Sequence, residues 1–383
     1  MTKGEIIKIV VALVLGLIIG GASVYYVFPR EVTKTEYTML PEHEYLRNKF
    51  KGMTLRVTCW SGPYEENFRK AVCEPFEELT GATIELVPGW AEFISQLEAA
   101  PPDQPPWDVF NADGYNYLAA KDLGKLIPIN LSNVPNAQYV YECLKEQRDE
   151  WKTKLGIPFD GGLYTIIINR EMIEDMGLPE ITSWKDLERP EYDGLIAMDE
   201  TWYYGIYVGA FLLDEEEGAG EVYTDIDAVF NKMAEFKDHV GKWYTSGAEA
   251  LQYLLNKEVA VAIYYTGGAW DAIKNQGEPL EILIPEEGTL AWLGSLCIVN
   301  GTKVKELAEA FINFALSPIS QSRHVTLSGN FVTGNFSKVP DEQYFNPSNN
   351  EEMSKLVFFD WGYLLEHWTE FEERWNTEIL GGA

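Results

Sequence analysis

The longest feature of the hydropathy pattern lies near the start of the chain. Residues 9–28, IVVALVLGLIIGGASVYYVF, are apolar except for Ser23 and the hydroxyls of Tyr25 and Tyr26. About 20 such residues match the span of a transmembrane helix. Lys3 and Lys8 precede the run, and Arg30 and Lys34 follow it. That near-tie leaves orientation open under the positive-inside rule. Two rival readings stand beside a retained anchor. One is a signal peptide cut after Gly20-Gly21-Ala22, a small-residue site. The other is an export signal processed ahead of the run, at Lys3-Gly4-Glu5, which leaves the run attached. No cysteine follows closely, which excludes a lipid-modified cysteine. All three readings export the rest of the chain, and a retained anchor over 1–28 is the one adopted. Residues 29–52 are polar and mixed in charge, as in a stalk.

Beyond residue 53 the pattern changes to short alternating runs and helical spacings. Residues 54–60, TLRVTCW, alternate apolar and polar and end in Ser-Gly-Pro, which predicts a strand entering a loop. Residues 64–79 carry Phe68, Val72 and Phe76 four apart, the spacing of one helix face. Pro75 lies inside that helix and is expected to kink it. Gly81 follows as a stop. Residues 83–87 and 107–111 predict further strands, the latter followed by a loop at Ala112-Asp113-Gly114-Tyr115. A second group follows, with strands at 163–169, 194–198, 259–264, 280–284 and 296–299. Helices are predicted from Ser183 and over 305–316, and residues 351–380 read as helical and rich in aromatics. Strands alternating with helices define an α/β layer fold. In such folds ligands sit beyond the carboxyl ends of strands. Trp60, Asp113 and Tyr115 fall at such ends.

Composition narrows the function. The 383 residues suffice for two lobes, and 46% are hydrophobic. Sixty acidic against 30 basic side chains give a net charge of -30, which argues against a nucleic-acid partner. The cysteines, Cys59, Cys73, Cys143 and Cys297, show no C-x-x-C spacing, and their pairing stays open. Glycosylation triplets begin at Asn130, Asn300 and Asn335 and add weak support for export. The histidines, His43, His239, His324 and His367, form no H-E-x-x-H motif. No G-x-S-x-G elbow or phosphate-binding glycine loop occurs either. The chain is therefore not read as an enzyme, and no cofactor or metal is expected.

The order of segments resembles the type 2 periplasmic binding proteins of ABC importers, in particular their polyamine-binding branch. The resemblance covers roughly 53–380. It is carried by TCWSGPYEENFRKAVCEPFEELTGATIELV, WDVFNADGYNYLAAKDLGKLIPIN, GIPFDGGLYTIIINREMI, SWKDLERPEYDGLIAMDE, NKEVAVAIYYTGGAW, IPEEGTLAWLGSLCIVNGTKVKELAEAFINFALSP and GNFVTGN, in that order. It implies two α/β lobes joined by crossover hinge strands, with ligand clamped between them. Lobe 1 would comprise 53–157 and 295–338, and lobe 2 would comprise 158–294 and 339–383. The family's aromatic box residue after the first strand matches Trp60, with Tyr64 nearby. Its serine-x-tyrosine matches Asp113-Gly114-Tyr115, so Asp113 departs from serine. Its acidic pair matches Asp199-Glu200, of which Glu200 is taken as the ligand-facing member. Its two tryptophans in the second lobe match Tyr264 and Trp292. Polyamine binders also carry an aspartate where this chain has Gly294, and a glutamine where Gly362 follows Trp361.

The resemblance thus implies a ligand site of Trp60, Tyr64, Asp113, Tyr115, Glu200, Tyr264 and Trp292. Aromatic faces and carboxylates suit an ammonium group. With no lysine or arginine at those positions, an anion would lack its usual partners. The expected ligand is a small amine-containing or amino-acid-like solute. The expected partner is an ABC permease, and the expected setting is the extracellular side of the membrane, with the chain monomeric and anchored at its N-terminus. Two alternatives stay open: a ferric-ion binder using Tyr203-Tyr204 and Tyr264-Tyr265, and a ligand-sensing surface protein without transport. The apolar run generates the first prediction. The full chain is expected to sediment with membranes and resist high-salt washing; recovery in the soluble fraction would refute the retained anchor.

Overall fold

The computed structural model describes residues 41–213 and 219–381. The apolar segment expected at 1–28, and the first part of the expected stalk, lie outside the described residues. Among the described residues no helix is long and apolar enough to cross a membrane. Residues 43–52, read as the end of the stalk, pack onto the globular part. Leu46 and Phe50 are buried, and the backbone N–H groups of Asn48 and Phe50 donate to the carbonyls of Leu79 and Thr80 at 2.9 and 3.1 Å.

One continuous sheet organises the described chain. Its strands are β1 (Thr54–Cys59), β2 (Thr83–Pro88), β3 (Val109–Asp113), β4 (Leu126–Ile127), β5 (Gly156–Asn169) and β6 (Ile196–Asp199). They are followed by β7 (Val240–Tyr244), β8 (Val261–Tyr265), β9 (Leu280–Leu283), β10 (Leu290–Val299), β11 (Phe331–Val332) and β12 (Val357–Phe358). The main path runs β2-β1-β3-β10-β5-β8-β6-β7. β1, β2 and β3 are parallel, and so are β6, β7 and β8. Each parallel group requires helical crossovers, which cover its faces and bury it. This is the two-lobed mixed α/β fold anticipated from the alternating segments.

Between the groups run β5 and β10, antiparallel to each other from Leu290 opposite Tyr164 to Cys297 opposite Gly156. β10 also pairs with β3 of the first group, and β5 with β8 of the second. All 14 residues of β5 are buried. Both strands are longer than the alternation suggested, because Pro158, Gly161, Gly162 and Gly294 read as breakers. Burial on both faces keeps the ladder going through them, with one register shift between Gly294 and Ser295.

Local chemistry explains the flanking elements. The helix expected over 64–79 is a chain of three pieces: Pro63–Phe68, a wider turn at Arg69–Cys73, and Glu74–Thr80. Pro75 has no N–H to give to the carbonyl four residues back, and the wide turn falls just ahead of it. Gly81 ends the helix at φ 72°. The expected loop at 112–115 is instead the end of β3 and the start of the helix Gly114–Asp122. Asp113 caps that helix by accepting from the Asn116 N–H. The C-terminal stretch is divided into the short helices Asn350–Ser354, Trp361–Glu366 and Trp368–Arg374, with β12 among them. All four cysteines are buried and free.

Trp375 ties this C-terminal region to the second strand group. It is 1% exposed, and its Nε1 donates to the Glu200 carbonyl at 2.7 Å. Its ring lies against Gly205, where a Cβ would stand 1.8 Å from Cη2. Trp375→Ala is expected to lower unfolding free energy by ~3–5 kcal/mol in urea titration. A loss near zero would show that the ring is not packed in this way.

Candidate ligand-binding site

The site forms where β1 and β3 end against the crossover strands. β1 delivers Trp60 at its carboxyl end, and the following helix delivers Tyr64. The two rings meet edge to face at 4.8 Å. Trp60 also meets Trp292 of β10 at 4.7 Å. Such contacts contribute about 0.5–1.5 kcal/mol beyond area burial. Both tryptophans remain partly exposed, unlike core tryptophans such as Trp107 and Trp184. The Trp292 indole approaches β5 closely because Gly162 has no side chain: a Cβ there would stand 2.6 Å from the indole Nε1. Gly294 plays the same part for Trp60, whose Cη2 would be 2.8 Å from a Cβ.

Tyr64 does more than pack. Its hydroxyl donates to Asp160 Oδ2 at 2.8 Å and accepts from Asn111 Nδ2 at 2.9 Å. Burial pushes its ionisation well above the usual phenol range, and the Asp160 charge adds to that. Asp160, Asn111 and the buried His324, which contacts Asp160 Oδ2 at 2.7 Å, are site neighbours that sequence reasoning did not single out.

Asp113 is buried, which raises its pKa above the ordinary carboxylate value against the opposing hydrogen bonds. Both of its oxygens are engaged: Oδ1 accepts from the Asn116 N–H at 2.9 Å and Oδ2 from Trp90 Nε1 at 2.6 Å. Tyr115 lies at the start of the same helix and faces Trp361 at 6.0 Å and Trp368 at 6.2 Å, both from the C-terminal region.

On the second strand group the acidic pair divides. Glu200 is exposed and uses its carbonyl to hold Trp375. Asp199 is the buried member, with its pKa raised by burial and only partly restored by Thr201. Tyr203 and Tyr265 are both pushed up in pKa by burial, and the charges of Asp199 and Asp113 reinforce the shift in each. Acids from β3 and β6 therefore reach the same pair of phenols. The hydroxyls of Tyr204 and Tyr265 contact each other. Tyr264 lies instead in a separate core with Trp270 and Leu254. Its ring fills the space over Gly247 and Gly268. The structure thus brings Trp60, Tyr64 and Trp292 into one cluster and draws Asp113 toward Tyr203 and Tyr265. It leaves Glu200 outside both groups, while Tyr264, in its separate core, meets Tyr265 of the second group at 5.8 Å.

A cavity of about 570 Å³ opens on the face of β10 that carries Ala291 and Leu293, lined also by Gly114, Arg148, Trp361 and Gly362. Strand alternation puts it on the opposite face from Trp292 and Gly294.

A chain with this crossover sheet and aromatic cluster belongs to a recognisable class. The profile of the bacterial extracellular solute-binding protein family matches residues 71–349, and the chain belongs to that family. Its relatives bear out the resemblance to type 2 solute-binding proteins of ABC importers in the polyamine-binding-like branch. The spermidine/putrescine-binding periplasmic protein of Escherichia coli is 29% identical over 163 residues, 42% of this chain and 44% of that protein. The γ-aminobutyric acid-binding protein of Pseudomonas aeruginosa is 28% identical over 155 residues, 39% of this chain and 43% of that one. The chain thus spans less than half the length of these curated relatives. Over a longer extent, the fold is that of a spermidine/putrescine ABC transporter substrate-binding protein from Streptococcus pneumoniae. The TM-score is 0.69 at 18% identity, covering 86% of this chain and 100% of the other.

The close approach of Trp292 to Gly162 is testable. Gly162→Ala is expected to displace the indole, at a stability cost of about 1–3 kcal/mol from overpacking. NMR of the Trp292 indole N–H reads this directly, and an unmoved resonance would refute the contact.

Proposed function

We propose that the chain captures a small amine-containing organic solute between its two lobes and delivers it to the membrane permease of an ABC importer. The lobes are taken as 53–157 with 295–338 and 158–294 with 339–383, and the run at 1–28 as the membrane anchor on the extracellular side. The observation that carries the reading is the Trp60–Trp292 contact. It joins the end of a first-lobe strand to the crossover through two partly exposed tryptophans, which supports reading this place as a ligand cleft.

The charge of the ligand follows from what surrounds that contact. The Tyr64 hydroxyl beside it is bonded to the buried Asp160, and no lysine or arginine stands among the proposed site residues Trp60, Tyr64, Asp113, Tyr115, Glu200, Tyr264 and Trp292. An ammonium group gains from both π faces and carboxylates. The names of the relatives, spermidine/putrescine-binding and γ-aminobutyric acid-binding, point to amine-bearing ligands for those proteins. The meeting of the Tyr204 and Tyr265 hydroxyls gives the ferric-ion alternative a specific place to be tested.

Calorimetry with putrescine, spermidine, γ-aminobutyric acid, sulfate, phosphate and Fe(III) decides among these. Binding of at least one amine is expected. Trp292→Ala is expected to weaken it by ~2 kcal/mol, as for a central aromatic anchor. Melting of the unliganded protein should change by less than the ~3–5 kcal/mol of a core tryptophan. Tight binding of an oxyanion overturns the amine reading and leaves solute binding intact.

A further inference from the structure

Asp160 holds a carboxylate oxygen that nothing in the described structure satisfies. The residue is fully buried on β5, directly opposite Gly294 of β10 in the strand register. Its Oδ2 is occupied by the Tyr64 hydroxyl and by His324 Nε2. Its Oδ1 has no hydrogen-bond partner, and the same is true of the buried Asn111 Oδ1. The orientation of that amide is set by the network. Tyr64 spends its proton on Asp160, so it must accept from Asn111 Nδ2, which turns Asn111 Oδ1 the other way. The two free oxygens converge. A Cβ on Gly294 would stand 2.9 Å from Asp160 Oδ1, 3.1 Å from Asn111 Oδ1 and 2.8 Å from Trp60 Cη2.

Buried acceptors without donors are costly, and a buried carboxylate oxygen more so. Whatever completes this place must therefore bring at least two N–H or O–H donors and, best, a positive charge. A primary ammonium has three donors: two for the oxygens and one edge left to face the Trp60 ring. An oxyanion would meet only lone pairs. Asp113 offers no comparable vacancy, since both its oxygens have donors.

We propose that Asp160 and Asn111, over Gly294 and beneath Trp60, form the subsite that receives one primary ammonium group of the ligand. The proposal rests on the amine-capture reading above and adds to it the anchoring atoms. Trp60 is the roof of this place and turns aside to admit the ammonium; the aliphatic body of the ligand then lies along the Trp60–Trp292 side. Gly294 is required because any side chain there would fill the subsite.

The test uses the full chain, with putrescine and γ-aminobutyric acid as amines and butyrate as the probe lacking the amine. Asp160→Asn keeps the size and still accepts from Tyr64 and His324, but it turns a donor toward the subsite. It is expected to weaken amine binding at least tenfold in calorimetry, with the unliganded protein melting no lower than wild type. Gly294→Ala keeps the Asp160 carboxylate itself and fills the subsite with a methyl that Trp60 or Asp160 must give way to. It is expected to show the same loss, and it decides the matter if Asp160→Asn does not fold. Amine affinities within twofold of wild type in the folded variants would overturn the proposal: the two oxygens then hold only a bridging water, and amine capture elsewhere in the cleft survives. A wild-type protein that binds butyrate and neither amine overturns this proposal and the amine reading together.

Discussion

The pairing of β5 with β10 is the constraint on which the rest of the structure depends. These two strands carry the chain between the strand groups, and each also pairs with one group, β10 with β3 and β5 with β8. Their backbone groups are deep in the protein and must be satisfied by the ladder itself. That requirement fixes the register, and the register fixes the site. It sets Gly294 opposite Asp160 and Trp292 opposite Gly162. The glycines at 161, 162 and 294 are the positions where Phe331, Trp292 and Trp60 press onto the ladder. The site is built by leaving side chains out of the crossover as much as by placing them around it.

Much of this architecture was legible in the pattern of residues. Alternation found β1, β2, β6, β8 and β9 within a residue or two, because each buries a hydrophobic face. The crossover strands were legible only in part. Pro158 and the glycines have low strand propensity as isolated residues, and what overrides them is burial on both sides, which no local window contains. The site shows the same division. Trp60 stands out as an aromatic at a strand end and Trp292 through the family resemblance, whereas Asp160 reads as an ordinary acid in a glycine-rich stretch. Its partners Tyr64 and His324 lie 96 and 164 residues away in sequence. Asp199 and Glu200 illustrate a finer limit. They are adjacent and equally acidic, and only the end point of β6 decides which one is buried.

On the proposed amine reading, the acids link capture to the charge of the solute. The net charge of -30 is mostly carried by exposed side chains, where water screens it. Asp113 and Asp199 are different, because burial has raised both pKa values and their charges reach the same tyrosines from opposite strand groups. On the amine reading, a cationic solute is attracted by each of these carboxylates. It also favours the ionised form of each acid, so the amine reading requires affinity to fall as the pH drops toward the raised pKa values and these groups take up protons. In the proposed two-lobe arrangement, a hinge of two strands moves the lobes as bodies. On that reading the charge of the solute, and not contact area alone, decides whether the closed form is populated.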